Sequence, residues 1–320
     1  MSRESKFEGN IQICSEWSDI TREFDSLLKK VPNMEDTGED LVWQGWIFRG
    51  HKRAEYALEP LIERVHRCTG WDLAEHKAML DFQSKAPLHM DPMQLPPTTP
   101  EHKLSWLAIM QHYGAPTRLL DFTYSPYVAL FFALRNREKN ESDYAEVWGI
   151  NADTLMRCAR ELSQEADKRE GQTQPEFRRV KFGRTEEYQS YLQEAEQEET
   201  RLKNLVLNAL SFRRDNIRRD HYNRKGFVVV AQPPAQNARL ASQQGVFLFN
   251  GAESRTFEES LELMMKNIKV CWYKRFRVPA DKLTKIEEKL FQFNIHDLSL
   301  FPDTEGLAGF VRQKLRLRFQ

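Results

Sequence analysis

Apolar residues recur along this chain at helical spacing in some stretches and at alternate positions in others, and the switches between the two lay out its elements. Residues 15–30 read as an amphipathic helix with Ser15 as its N-cap, followed by a polar, acidic loop. The run Trp43-Gln44-Gly45-Trp46-Ile47-Phe48-Arg49-Gly50 reads as a strand that meets a glycine at its end. Helical patterns follow at 71–86 and 101–112, separated by a loop rich in Pro and Thr from Pro92 to Pro100. A strand at 118–122 then runs through Thr123-Tyr124-Ser125-Pro126 into a very apolar helix at 126–137. Further strands are predicted at 144–150, 226–231, 245–249 and 268–274, with closing helices at 280–292 and 304–316. The strands lack regular βαβ alternation. This predicts an α+β fold with a mixed or antiparallel sheet and surrounding helices.

One stretch departs from the pattern. From Ser163 to Lys225 the chain is polar, with an acidic half at 186–199 and a basic half at 213–225, and it reads as a charged helical insertion. The basic half carries Arg213, Arg214, Arg218, Arg219, Arg224 and Lys225 beside Phe212 and Tyr222. Positive charge interleaved with aromatics suits nucleic acid. A solvated helix face paired with the acidic half explains the same residues and is the preferred reading.

Composition narrows the choices further. Over 320 residues, 47 basic side chains balance 47 acidic ones, so no global field selects nucleic acid or a membrane. Cys14, Cys68, Cys158 and Cys271 lack metal-like spacing and are expected as free thiols in a reducing cytoplasm. The polar start has no signal-peptide core, and no apolar run reaches membrane-spanning length. A soluble cytoplasmic protein without membrane partners is expected. The histidines show no metal pairing, so no metal site is expected.

The chemistry gathers around Gln111-His112-Tyr113-Gly114-Ala115-Pro116-Thr117-Arg118-Leu119-Leu120-Asp121-Phe122-Thr123. Polar groups at a buried strand-to-helix junction each need a partner, which makes the junction a candidate site. Arg49 could grip phosphate through its planar fork or pair with a carboxylate such as Asp121. Gly50 would let a ligand or another backbone approach closely. Arg118 and Asp121 point to opposite faces of a strand, one toward ligand and one toward an anchor, or both into structural ion pairs. His112 at a helix end is a candidate general base or a packing residue. Thr123 and Ser125 can cap the helix and leave backbone donors for an anion. Gln243 and Gln244 can bond a sugar hydroxyl or a base edge, or simply saturate a turn.

These residues resemble the FRG-domain family. The resemblance rests on Phe48-Arg49-Gly50, the 111–123 motif, the Pro126 to Ala133 helix, the segment from Arg239 to Phe247, and the tail from Leu300-Phe301-Pro302-Asp303 to Ala308. It spans about residues 41–310, with 1–40 as an N-terminal helix and linker and 311–320 as a basic tail. The family name denotes a sequence signature, not a reaction. By analogy of element order, the chain is also similar to ADP-ribosyltransferase folds. That similarity implies a pocket for a small anionic nucleotide, with ADP-ribosyltransferase or NAD-glycohydrolase-like activity, NAD as a substrate and no permanently bound cofactor. In that pocket Arg49 and Arg118 would clamp pyrophosphate, with Gln111, Thr123, Ser125 and Gln243 as further ligand contacts. His112, Asp121 and Gln244 would be the catalytic candidates. The usual third-position Glu is replaced by Gln243-Gln244, and Glu253 comes several residues later. The alternative is a non-catalytic module that contacts nucleic acid or a protein through residues 186–225.

Overall fold

The computed structural model describes residues 7–28, 45–65, 71–137, 142–169, 217–233 and 237–318. Among these, seven strands form one sheet: β1 (Ile11–Ile13), β2 (Trp46–His51), β3 (Leu119–Thr123), β4 (Tyr144–Asn151), β5 (Val228–Ala231), β6 (Gly245–Asn250) and β7 (Tyr273–Pro279). Their order is β1-β7-β4-β2-β3-β6-β5. Only β1 and β7 run parallel; every other pair is antiparallel, so the sheet is mixed as the strand spacing predicts.

The central strands bury both faces. Ile47, Trp148 and Ile150 enter one hydrophobic cluster, while their neighbours Trp46, Phe48 and Val147 enter another on the opposite face. The period-two pleat sends successive side chains to these two cores. The second core is roofed by the helix Pro126–Leu134, capped by the Ser125 hydroxyl, which accepts from Val128 N. Phe122, Val128 and Phe131 are buried as their setting requires, but Phe132 is only half-buried. The helix stops at Leu134 rather than 137, and Asn136 adopts a left-handed backbone with φ of 52°.

Gly50 explains how this helix sits so close to β2. A Cβ on Gly50 would collide with the Ala129 carbonyl and lie 2.6 Å from Ala133 N. The close neighbour allowed by this glycine is a helix backbone.

One seam interrupts the sheet. β2 and β3 pair at a single register position, Phe48 with Thr123, whereas β2 pairs with β4 along its whole length. Side chains bridge the rest of that gap.

Two boundaries differ from the sequence pattern. The strand expected at 268–274 lies at Tyr273–Pro279, because Lys269, Val270 and Cys271 are exposed and β4 pairs with the later residues. Of the stretch expected as an insertion from 163, residues 163–169 continue a helix that packs on the core. The helix Ala152–Arg169 runs through Ser163 and buries Leu155, Met156, Ala159 and Ala166. The helix Ile217–Lys225 returns to the core, with Tyr222 stacked on Phe227 at 3.9 Å. The acidic run 186–199, together with Phe212, Arg213 and Arg214, lies outside the described residues. No helix among the described residues is long and apolar enough to cross a membrane. Cys14 and Cys158 are buried free thiols, and burial pushes Cys14 up to about 12.

Candidate functional site

The β2–β3 seam is closed by a chain of side-chain hydrogen bonds that ends at a surface groove. Thr117 Oγ1 donates to Gln111 Oε1 at 2.6 Å, which turns the amide nitrogen toward Asp121. Gln111 Nε2 then donates to Asp121 Oδ2 at 2.7 Å. From the other strand, Arg49 Nη1 donates to the Asp121 carbonyl at 2.6 Å and lies 3.9 Å from Oδ2. Arg49 Nε donates to His51 Nε2 at 3.1 Å. An accepting Nε2 requires a neutral imidazole. Burial, reinforced by the Arg49 charge, holds His51 well below its usual range.

The groove encloses about 790 Å³ between the end of the helix Lys103–His112, the helix Ala238–Ser242 and Phe301. Its apolar wall includes Leu95, Pro96, Ile109, Leu240 and Phe247, and its polar wall Gln111, His112, Asp121, Asn237 and Gln243. His112 Nδ1 lies 3.3 Å from Asn237 Nδ2, whose amide donates to it. Burial and the charge of Arg239 lower the His112 pKa, so the ring is neutral at pH 7.

Arg135 and Arg239 stand at the same groove beside Phe301. Their guanidinium carbons lie 4.0 Å and 4.9 Å from its ring centroid. Arg135 Nε bonds Asp297 at 2.7 Å, and its Nη2 is 3.6 Å from Glu305. Arg239 Nη2 is shared between Asp303 at 2.6 Å and Glu305 at 2.9 Å.

Residues 44–142 match the family model of the FRG domain. The chain carries an FRG domain. No curated protein and no solved structure matches it. Arg49, His51, Gln111, Thr117 and Asp121 all fall within the FRG match, so the whole seam network belongs to it. Arg239, Gln243 and Phe301 lie beyond the match and complete the groove from the other half of the chain.

The structure brings Gln111, His112, Asp121 and Gln243 to this groove, with Arg49 behind Asp121. It removes Arg118. That side chain is only 1 % exposed, paired with the equally buried Glu75 at 2.8 Å, and stacked on Phe249. Arg118 therefore stands out of reach of a ligand, and its expected pyrophosphate clamp is corrected to an interior ion pair.

Thr123 Oγ1 accepts from Ser125 N and donates to the Gln243 carbonyl, while Ser125 serves as the helix cap. Gln243 Nε2 donates to the Leu300 carbonyl. Gln244 is an exposed turn residue with φ of 48°, and its carbonyl accepts from Tyr124 N. Ser125, expected as a ligand contact, and Gln244, expected as a catalytic candidate, are absent from the lining of the groove that holds Asp121.

Glu253 is taken up by an interior contact: it is buried and ion-paired with Arg219. Arg224 pairs with Asp220, and Tyr222 is buried, so these members of the basic segment are used within the chain. Among the described residues, no group of three His, Cys, Asp or Glu is placed to hold a metal.

Sequence reasoning missed His51, Thr117, Arg135 and Asn237 as parts of this site. Two of them had a visible signal. Thr117 lies inside the central motif, and Arg135 closes its apolar helix. Asn237 gave none until its helix was seen to cap the groove.

Proposed function

We propose that the groove of this FRG domain binds the nucleoside part of a small nucleotide, a class that includes NAD and ADP-ribose. The observation that carries this reading is the Asp121 carboxylate. Gln111 fixes Oδ2, while Oδ1 has no partner among the described residues, and the side chain is 57 % exposed. An oriented, open carboxylate suits the paired hydroxyls of a ribose, as acidic residues do in dinucleotide-binding folds. The volume fits a nucleoside, and the apolar wall suits a flat base.

Arg49 acts here as a positioning residue. It spends Nε on His51 and Nη1 on the Asp121 carbonyl, which braces the strand that presents the carboxylate. Neutral His112 offers a hydrogen bond to a base edge or hydroxyl. Binding is the proposed role, and ribosyl transfer is not. The carboxylate such transfer would use near the nicotinamide ribose has no counterpart before β6, and Glu253 is committed to Arg219.

Calorimetry with adenosine, 2′,3′-dideoxyadenosine and NAD tests this reading. Adenosine and NAD should bind, and the dideoxy compound should bind markedly more weakly. Asp121→Asn should weaken adenosine by about 10-fold or more, the loss expected for hydrogen bonds to a charged group. Equal affinity for adenosine and its dideoxy analogue, or no binding by any of the three, would overturn the proposal.

A further inference from the structure

We infer that Arg135 and Arg239 form an anion subsite at the groove, occupied in the resting protein by the Glu305 carboxylate, and that a ligand's phosphate displaces it. This rests on reading the groove as a ligand site and adds the chemical group that the ligand carries beyond its nucleoside.

The two arginines come from distant parts of the chain, one at the end of the apolar helix and one from the helix before β6, yet both line the groove. Each has a firm partner of its own. Asp297, only 7 % exposed, takes Arg135 Nε, and Asp303 takes Arg239 Nη2. Asp303 also accepts from Gly306 N through its other oxygen, which anchors it. Glu305 is different. It is 56 % exposed, reaches both guanidinium groups through Nη2 atoms, and stands beyond hydrogen-bond distance from Arg135.

Neither arginine uses its two terminal nitrogens together on one acceptor. Nη1 of each has no partner among the described residues, so each planar fork is incompletely used. A phosphate has three acceptor oxygens and matches such forks better than one shared carboxylate does. Water competes for the exposed Glu305 contact, which makes exchange cheap. Phe301, stacked beside both guanidinium groups, keeps their planes in place when Glu305 leaves.

The test uses inorganic pyrophosphate and adenosine as separate probes on the full chain at low ionic strength, where such contacts are least screened. Glu305→Gln removes the resident charge from an exposed position and should leave the fold intact by circular dichroism. It should tighten pyrophosphate about 5-fold or more, as expected when a competing charge-assisted contact is removed. Adding Arg239→Gln should abolish that gain. Adenosine affinity should be the same in the wild type and in Glu305→Gln. Unchanged pyrophosphate affinity in Glu305→Gln, no pyrophosphate binding, or a gain that survives Arg239→Gln would each overturn the subsite. If pyrophosphate behaves as expected while adenosine fails to bind any of the proteins, the subsite stands and the nucleoside reading falls.

Discussion

Two sets of arginine–carboxylate pairs in this protein use the same chemical groups to opposite ends. In the interior, Arg118 meets Glu75, and Glu146 lies between Arg275 and Arg277. Arg275 also donates to the main chain of Ala54 and Phe7, drawing the segments before β1 and after β2 onto the sheet. At the groove, Arg239 and Arg135 meet Asp303 and Glu305 in partial contact with solvent. A buried charge that loses its partner has nowhere to go, so interior pairs admit one arrangement. A rim charge that loses its partner regains water, so its partners can be exchanged. An arginine at a strand or helix end thus declares its role only through the solvent around it.

The contrast is broken most directly from the interior side. Glu75→Ala strands Arg118 among apolar side chains and should cost about 3–5 kcal/mol of stability, read from the shift in urea midpoint. A loss below about 1 kcal/mol would mean that the interior pair exchanges partners as freely as the rim. Arg239→Gln is the matching change at the rim and should cost no more than about 1 kcal/mol in the same measurement. A loss as large as that of Glu75→Ala would make the rim network structural and erase the distinction.

The smallest effect expected is on the pH axis. His51 is buried and neutral, with its pKa held well below 6.5 by desolvation. The unfolded chain takes up a proton near pH 6.5 while the native one resists, so this residue should lower stability as the pH falls below that value. Above it, His51 contributes no slope. His51→Asn should flatten the acid side of the stability profile measured by urea titration. Parallel profiles for the two proteins would show that His51 is protonated in the native state.

Much of the fold was legible because its central elements are written in apolar periodicity. The runs read from pattern at 43–50, 118–122, 126–137 and 245–249 fall on β2, β3, the apolar helix and β6, and the mixed sheet followed from their spacing. β7 was misplaced because Ile268-Lys269-Val270 alternates like a strand, while pairing with β4 selects the residues after it. The site was legible in its residue types but not in their allocation. Pattern placed Arg118 and Asp121 on opposite faces, yet nothing in it told which face holds Glu75 and which opens to the groove. Gln111 could be marked as a contact, but its bonds to Thr117 and Asp121 depend on how the turn at 113–116 returns the chain. Arg239 and Phe301 lay in recognised segments without a role, since their meeting spans some sixty residues of chain.

The single pairing step between β2 and β3 gives the sheet a mechanical character that its strand count hides. Four strands, β1-β7-β4-β2, form one plate, and three, β3-β6-β5, form another. Within the sheet itself they are joined by one backbone rung and the Arg49 guanidinium, with the core packed across both faces. Within each plate the ladders resist shear, while the joint has few rungs with which to resist it. Arg49, which braces the strand presenting Asp121, is therefore also the side chain that ties the two plates, and a molecule seated on that carboxylate sits directly at the joint.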